Sequence, residues 1–169
     1  MIGLNLCPFA KAVHVKQQIR YVVSTADDVQ GLHAQLVEEL LHLRDIDPAL
    51  TDTTLLIHPQ VLNDFLDFND FLDIAEATVA ELDLEGCIQV ASFHPDFQFA
   101  GTTPDDVTNY TNRAPYPILH LLREQSVERA VEAFPDAADI FEKNMETMRQ
   151  LGKQGWEALM EQQPEKPEP

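Results

Sequence analysis

The sequence predicts an α/β domain, with a β-α-β-α-β core around a small, mostly parallel sheet and a helical C-terminal third. Three short runs rich in β-branched and aromatic residues are typical of strands. Two amphipathic stretches with apolar residues three or four apart separate them. Strands that alternate with helices of this length favour right-handed crossovers and therefore parallel pairing. A ferredoxin-like α+β sandwich is the alternative, if residues 98–112 contain an edge strand.

The first strand and the first long helix follow a short N-terminal helix. Pro8 suits the first position of that short helix, which extends to about Val15. Residues 18–24 (QIRYVVS) form the first strand. Thr25 and Asp28 have the spacing of a capping box. They precede a helix with the apolar positions Val29, Leu32, Leu36, Leu40 and Leu43.

The second strand is predicted at Thr53–Ile57, and a helical region from Val61 to Leu82 follows it. This region repeats the letters NDFLD with a period of six residues, which is out of step with an α-helix, so we expect a kink near Phe68. Four aspartates recur there at every third position. They fit a solvated helix face better than a calcium site, since no loop glycine or terminal glutamate accompanies them; they are Asp64, Asp67, Asp70 and Asp73.

The third strand is predicted at residues 87–93, with Cys87 in the core. Residues 117–123 have a helical pattern, and Ser126 caps a further helix that ends at Phe134. A last long helix is predicted to begin at Asp136.

Composition and charge narrow the class of protein. A chain of 169 residues with 44% hydrophobic and 24% charged residues is typical of a soluble globular protein. We expect residues 1–160 to form one domain and residues 161–169 a disordered tail. The net charge of −18 disfavours nucleic acid and anionic membranes as partners. Two cysteines, with no membrane-span or signal-peptide pattern, predict a cytoplasmic protein.

The N-terminal segment departs from this acidic character. No acidic residue precedes Asp27, and residues 1–24 contain the bases Lys11, Lys16 and Arg20. A local site for an anion is therefore compatible with the acidic chain as a whole.

Histidines follow two of the predicted strands at the point where each strand ends. The second strand leads into His58-Pro59 and the third into His94-Pro95. In a parallel sheet both side chains would emerge at the carboxyl edge, where open α/β sheets bind ligands, and Ser24 would join them. This placement depends on the parallel direction of the strands.

His94 and Asp96 have the H-x-D spacing that lets an imidazole and a carboxylate face one ion. With His58 or His120 they would hold a divalent metal through two histidines and one carboxylate. Without a metal, Asp96 would orient His94 as a general base. In the competing interpretation, His94 is bonded to loop backbone and Asp96 caps a turn.

Further polar candidates lie in the long loop that follows and at the N-terminus. Arg113 has the forked donors that bind a carboxylate or a phosphate; in the alternative, it ties the loop down through backbone carbonyls. Tyr110 and Asn112 are candidate ligand-binding residues, as is His58. Cys7 precedes a helix start, where the dipole lowers the pKa of a thiol, and is a candidate nucleophile or a small buried side chain.

Three motifs resemble those of a known family. They are Gly3-Leu-Asn-Leu-Cys-Pro-Phe-Ala, Ser92-Phe-His-Pro-Asp-Phe-Gln-Phe and Asn109-Tyr-Thr-Asn-Arg-Ala-Pro-Tyr-Pro. They are similar to DUF1415, a bacterial family of unknown function, and the resemblance covers nearly the whole chain. It implies no established activity and supplies no catalytic roles, but it marks the same stretches that the residue chemistry selects.

The candidate residues together predict an enzyme that acts on a small polar or anionic molecule by His/Asp acid–base or metal-assisted chemistry. His94 would be the general base or metal ligand, Asp96 its partner and Arg113 the anchor for an anion. His58 and Cys7 are second-tier members of the site. A non-catalytic ligand-binding or protein-interaction module is the alternative, and the oligomeric state is left open.

Overall fold

The computed structural model describes residues 3, 4, 6, 7, 10–132 and 139–161. The predicted helix boundaries at Pro8, Phe134 and Asp136, and residues 162–169 of the predicted tail, lie outside this part of the chain. The helices and strands are α1 (Ala10–Val15), β1 (Ile19–Val23), α2 (Val29–Asp45), β2 (Thr53–Ile57), α3 (Phe65–Glu81), β3 (Ile88–Phe93), a 3-10 helix (Val107–Asn112), β4 (Ile118–Arg123), α4 (Glu124–Glu132) and α5 (Ile140–Glu161).

The four strands form one mixed sheet in the order β1-β2-β4-β3. β1 and β2 are parallel, whereas β4 is antiparallel to both of its neighbours, β2 and β3. The α/β class and a C-terminal helix are confirmed, but the prediction of a mostly parallel sheet is wrong, and the C-terminal third also contains the strand β4. Strands β1, β2 and β3 nevertheless point the same way, because β4 reverses direction between β2 and β3.

β4 is the element that local sequence patterns assign incorrectly. The sequence predicts a helix over residues 117–123, and the structure has a strand there. The run ILHLLR is short and apolar, and periodicity alone does not distinguish a buried strand from a helix in such a run. Its backbone pairs on both sides, with β2 and with β3, and these long-range hydrogen bonds decide the conformation.

The main core lies between one face of the sheet and the helices α2 and α3. Apolar side chains of both helices pack there at helical spacing, and the sheet contributes alternate residues of its strands. The buried members are Leu32, Leu36, Leu40 and Leu43 from α2, Phe68, Phe71, Ala75 and Val79 from α3, and Leu56, Ile88, Leu119 and Leu121 from the strands.

α3 is one helix from Phe65 to Glu81, so the kink expected near Phe68 is wrong. Phe68 and Phe71 are 0% and 2% exposed, because residues three apart lie on the same face of a helix. The six-residue repeat thus places both rings in the core. Asp64 caps the helix, and the other three aspartates are exposed, as the sequence predicts; these are Asp67, Asp70 and Asp73.

Two local predictions are corrected. Asp28, not Thr25, caps α2, and its side chain accepts a hydrogen bond of 2.7 Å from the backbone N–H of Gly31. Cys87 is exposed rather than buried, since β3 begins one residue later, at Ile88.

A second apolar cluster joins the N-terminal segment, the loop after β3 and α5. Leu6, Tyr110 and Met148 are its buried members, and the Asn144 side chain donates a hydrogen bond of 2.7 Å to the Leu6 carbonyl. Residues 98–112 contain the 3-10 helix and no strand, so the ferredoxin-like alternative does not hold. The partly buried members around this cluster are Leu4, Val107, Leu151 and Trp156.

Candidate functional site

The histidines that follow β2 and β3 lie at the same end of the sheet. Ile57 and Phe93, the last residues of the two strands, are both paired with Ile118 of β4, so β2 and β3 end at the same level. His58 and His94 come next in the chain and are both fully buried. The expected common edge therefore exists, although β4 separates the two strands.

Both ring nitrogens of His94 are bonded to backbone groups. The Asp96 N–H donates to Nδ1 at 3.0 Å, and Nε2 donates to the Leu62 carbonyl at 3.2 Å. This pair of bonds requires the neutral imidazole with its proton on Nε2. Burial lowers the pKa of His94, while the Leu62 carbonyl and the negative charge of Asp96 act in the opposite direction. In this arrangement His94 holds the loop start in place.

His58 is neutral as well, but one of its nitrogens is unpaired. Its Nδ1 donates to the Val61 carbonyl at 2.8 Å, and its buried Nε2 has no hydrogen-bond partner among the described residues. Burial lowers its pKa, with His94 contributing in the same direction. The Phe68 ring lies beside both imidazoles, with centroid distances of 5.7 Å to His58 and 5.1 Å to His94.

The predicted metal ligands do not form a metal site in this conformation. Asp96 is exposed, and its backbone N–H occupies the Nδ1 atom of His94. Within the described ranges, no group of three or more His, Cys, Asp or Glu side chains is arranged to hold a metal ion. His120, the alternative third ligand, lies within β4 and bonds the hydroxyl of Thr53 at 2.7 Å. Metal binding by His94, Asp96 and His58 would require the start of the loop to rearrange.

Arg113 both ties the loop down and retains unused donors. Its Nε donates to the Phe97 carbonyl at 3.2 Å, and its Nη2 donates to the Pro104 carbonyl at 2.8 Å. Its guanidinium carbon lies 4.5 Å from the centre of the Tyr110 ring. Of the five N–H donors of an arginine, two are used, which leaves three without a partner among the described residues.

A small cavity opens beside this guanidinium. Its volume is about 150 Å³. The rings of Tyr110 and Trp156 lie 5.6 Å apart at its wall. Trp156 belongs to α5, and its place at the cavity follows from the packing of α5 on the loop. The lining residues are Pro95, Tyr110, Arg113, Ala114, Pro115 and Trp156.

Two asparagines hold the loop in shape. The Asn112 side chain donates to the Ser92 carbonyl at 3.2 Å, which connects the loop to β3 rather than to a ligand. Asn109 is 0% exposed, and its side-chain oxygen accepts from the Phe99 N–H at 3.0 Å. The same oxygen also accepts from the Thr102 hydroxyl, and the side-chain nitrogen donates to the Thr103 carbonyl. Asn109 is thus a central residue of the loop, although it is not among the candidates that the sequence suggests.

Cys7 lies outside the cavity. It is half-buried in the N-terminal segment next to Leu6, and it is not among the residues that line the Arg113 cavity. The structure therefore brings Arg113 and Tyr110 together at one concave site. His94 immediately precedes the lining residue Pro95 in the chain, and Cys7 is not among the lining residues.

The comparisons with known proteins identify a family and no activity. Neither the curated proteins nor the solved structures gave a match. Among the described residues, no helix has the length and apolar character needed to cross a bilayer. The family model described as "Protein of unknown function (DUF1415)" matches residues 1–158. By this match, which covers most of the chain, the protein belongs to the DUF1415 family.

Proposed function

We propose that the protein binds a small anionic molecule in the cavity beside Arg113. The observation that carries this proposal is the hydrogen bonding of the Arg113 guanidinium. It is fixed by two backbone carbonyls and by the Tyr110 ring, yet it keeps three N–H donors without a protein partner in the described structure. A fixed fork loses little conformational entropy when it binds an anion, so its remaining donors are well prepared for a carboxylate or a phosphate.

The size of the cavity limits the ligand. A volume of about 150 Å³ holds only a few non-hydrogen atoms, since a water molecule in the liquid takes roughly 30 Å³. Larger ligand pockets have volumes of several hundred Å³. Inorganic phosphate and short carboxylic acids fit this volume. The rings of Tyr110 and Trp156 would contact the apolar part of a carboxylic acid.

His94 would position the cavity wall in this proposal rather than react with the ligand. It is fully buried, both of its nitrogens are bonded to backbone, and Pro95 follows it at the cavity wall. An enzyme that uses His94 as a general base is the second candidate. It would require the bond from the Asp96 N–H to Nδ1 to open when the substrate binds. We therefore favour binding without catalysis by His94.

Trp156 supplies a direct test, because it is the single tryptophan of the chain and lines the cavity. We expect inorganic phosphate or acetate to change the fluorescence of the wild-type protein in a saturable way. Arg113→Gln should weaken binding by at least about tenfold, because hydrogen bonds between charged groups are lost. Arg129→Gln, an exposed change in α4, is the matched control and should leave the affinity unchanged.

Circular dichroism would confirm that Arg113→Gln keeps the fold. If no small anion changes the fluorescence of folded wild-type protein, or if Arg113→Gln and Arg129→Gln bind equally well, the proposal is wrong. Catalytic turnover of a bound acid that disappears in His94→Gln would support the enzyme instead.

A further inference from the structure

β1 forms an open edge of the sheet. It pairs only with β2, in parallel, and no other described strand lies on its far side. The Gln18 carbonyl and the Ser24 N–H both bond to the β2 side. Because backbone groups alternate in direction along a strand, Arg20 and Val22 also point towards β2. The N–H and C=O groups of the other three residues, Ile19, Tyr21 and Val23, therefore point to the open edge.

The side chains of these three residues face away from the helices. Arg20 forms a two-pronged ion pair with Glu39 of α2, and Val22 packs against the main core. Since side chains alternate across a strand, the residues between them lie on the opposite face. Tyr21 is 59% exposed and Val23 is 62% exposed. β1 lacks the outward lysine, the proline and the bulge that protect many edge strands, and its one charged side chain, Arg20, lies on the covered face and is paired with Glu39.

An open cleft of about 520 Å³ adjoins this edge. Its walls are the end of α1, with His14 and Val15, and the start of β1, with Ile19 and Tyr21. Val15 is 71% exposed. A strand edge beside a helix is the arrangement by which several recognition domains bind an extended peptide.

The chain segment to which the cleft residues belong is basic, unlike the rest of the protein. Lys11 and Lys16 are exposed, and neither forms an ion pair with a described residue. Residues 1–24 contain no acid, in a chain whose net charge is −18. An acidic partner would therefore be attracted to this surface, whereas a second copy of the chain would place this basic segment against itself.

We propose that the open edge of β1 is a docking site for an extended, acidic segment of another protein. The backbone of that segment pairs with Ile19, Tyr21 and Val23, and its apolar side chains enter the cleft beside α1. Its acidic side chains lie near Lys11 and Lys16. This site is separate from the Arg113 cavity and does not depend on it.

The test uses the full chain and two synthetic peptides of eight residues, one alternating valine with glutamate and the other valine with lysine. Backbone amide exchange is followed residue by residue by NMR. With the glutamate peptide we expect the amides of Ile19, Tyr21 and Val23 to exchange at least tenfold more slowly, and those of Arg20 and Val22 to stay unchanged. The lysine peptide should give no protection.

A matched pair of variants isolates the backbone pairing. Tyr21→Ala and Tyr21→Pro both remove the ring, but only proline removes the edge-facing N–H. The proline variant should bind the glutamate peptide about tenfold more weakly than the alanine variant, which is the usual effect of losing one hydrogen bond in an interface. If Tyr21→Pro does not fold, Val23→Glu places a negative charge at the open edge and should abolish binding of the glutamate peptide.

Three results would overturn the proposal. They are equal protection by both peptides, no protection by either peptide, and a dimer of the free protein in which the amides of Ile19, Tyr21 and Val23 are already protected. The third result would assign the edge to a second copy of the chain.

Discussion

Two regions of the molecule are held together in different ways. The sheet and its two covering helices form an apolar core of leucine, isoleucine, valine, phenylalanine and alanine side chains. The loop between β3 and β4 is held mainly by polar side chains that bond to backbone, through His94, Asn109, Asn112 and Arg113. Part of the apolar cluster that supports it comes from distant segments, the N-terminus and α5.

This difference changes how the conspicuous residues of the loop are understood. A long polar loop suggests a catalytic site, because polar side chains need partners and a ligand is one of them. Here the partners of His94, Asn109 and Asn112 are carbonyls and N–H groups of the chain itself. Arg113, by contrast, keeps three N–H donors without a partner among the described residues. The loop is therefore a rigid wall for the cavity rather than a set of free catalytic groups.

The largest effect is expected in the apolar core. Phe68→Ala removes a fully buried ring that also contacts His58 and His94, and should lower the free energy of unfolding by about 3–5 kcal/mol. Urea denaturation measures it. Leu66→Ala, on the same helix but 71% exposed in the wild type, is the control and should cost less than about 0.5 kcal/mol. Similar values for the two variants would contradict the assignment of Phe68 to the core.

The second effect is a pH dependence that originates in the sheet. Burial lowers the pKa of His120 from 6.5 to about 4, while its ring bonds the Thr53 hydroxyl. The unfolded state then binds the proton more readily, so stability is fully present above about pH 6.5 and is lost as the pH falls towards 4. This one group accounts for about 3 kcal/mol over that range.

His120→Gln keeps a donor for Thr53 and does not titrate, so it isolates this contribution. The buried His58 and His94 also have lowered pKa values, so their protonation at low pH destabilises the folded protein as well. Because both residues are present in the wild type and in the variant, they do not affect the comparison. In urea denaturation at pH 7, 5.5 and 4, the free energy of unfolding should fall less steeply with decreasing pH for the variant than for the wild type. Parallel curves for the two proteins would show that His120 titrates normally.

The smallest of the three effects is expected in the loop. Asn109→Ala leaves the partly buried Phe99 N–H without its acceptor and should lower the free energy of unfolding by about 1–2 kcal/mol. Asn63→Ala, at an exposed position before α3, is the control. Because the Asn109 bonds shape the loop that carries Arg113, the variant should also weaken the effect of phosphate on Trp156 fluorescence. A stable variant with unchanged phosphate binding would mean that the cavity does not depend on this residue.

The main mistake in the sequence-based fold concerns β4. Strand positions β1, β2 and β3 and the helices α2 and α3 follow from local patterns, because each buries one face and its apolar spacing shows which. Residues 118–123 have the same local character in either conformation, and only pairing with β2 and β3 makes them a strand. That pairing connects residues far apart in the chain, which no local pattern contains.

The sequence predicts only part of the candidate site, because local patterns contain only part of the information. The strand ends indicate where His58 and His94 emerge, and the loop composition indicates Arg113. The sequence does not indicate that the Asp96 N–H donates a hydrogen bond to Nδ1 of His94, because that bond depends on the turn of the chain after Pro95. It also gives no sign that Trp156, more than forty residues beyond Arg113, completes the cavity wall.

The amino-acid sequence by itself determined the α/β class, the direction shared by three strands, and the chemistry available at their ends. Local propensity and the spacing of apolar residues suffice for that, because each helix or strand buries one face. Only the tertiary structure shows that the sheet is mixed, that backbone groups bond both ring nitrogens of His94, and that Arg113 keeps unused N–H donors. Those outcomes depend on which distant backbone groups and side chains meet, and hydrogen bonds between them form only once the chain has folded.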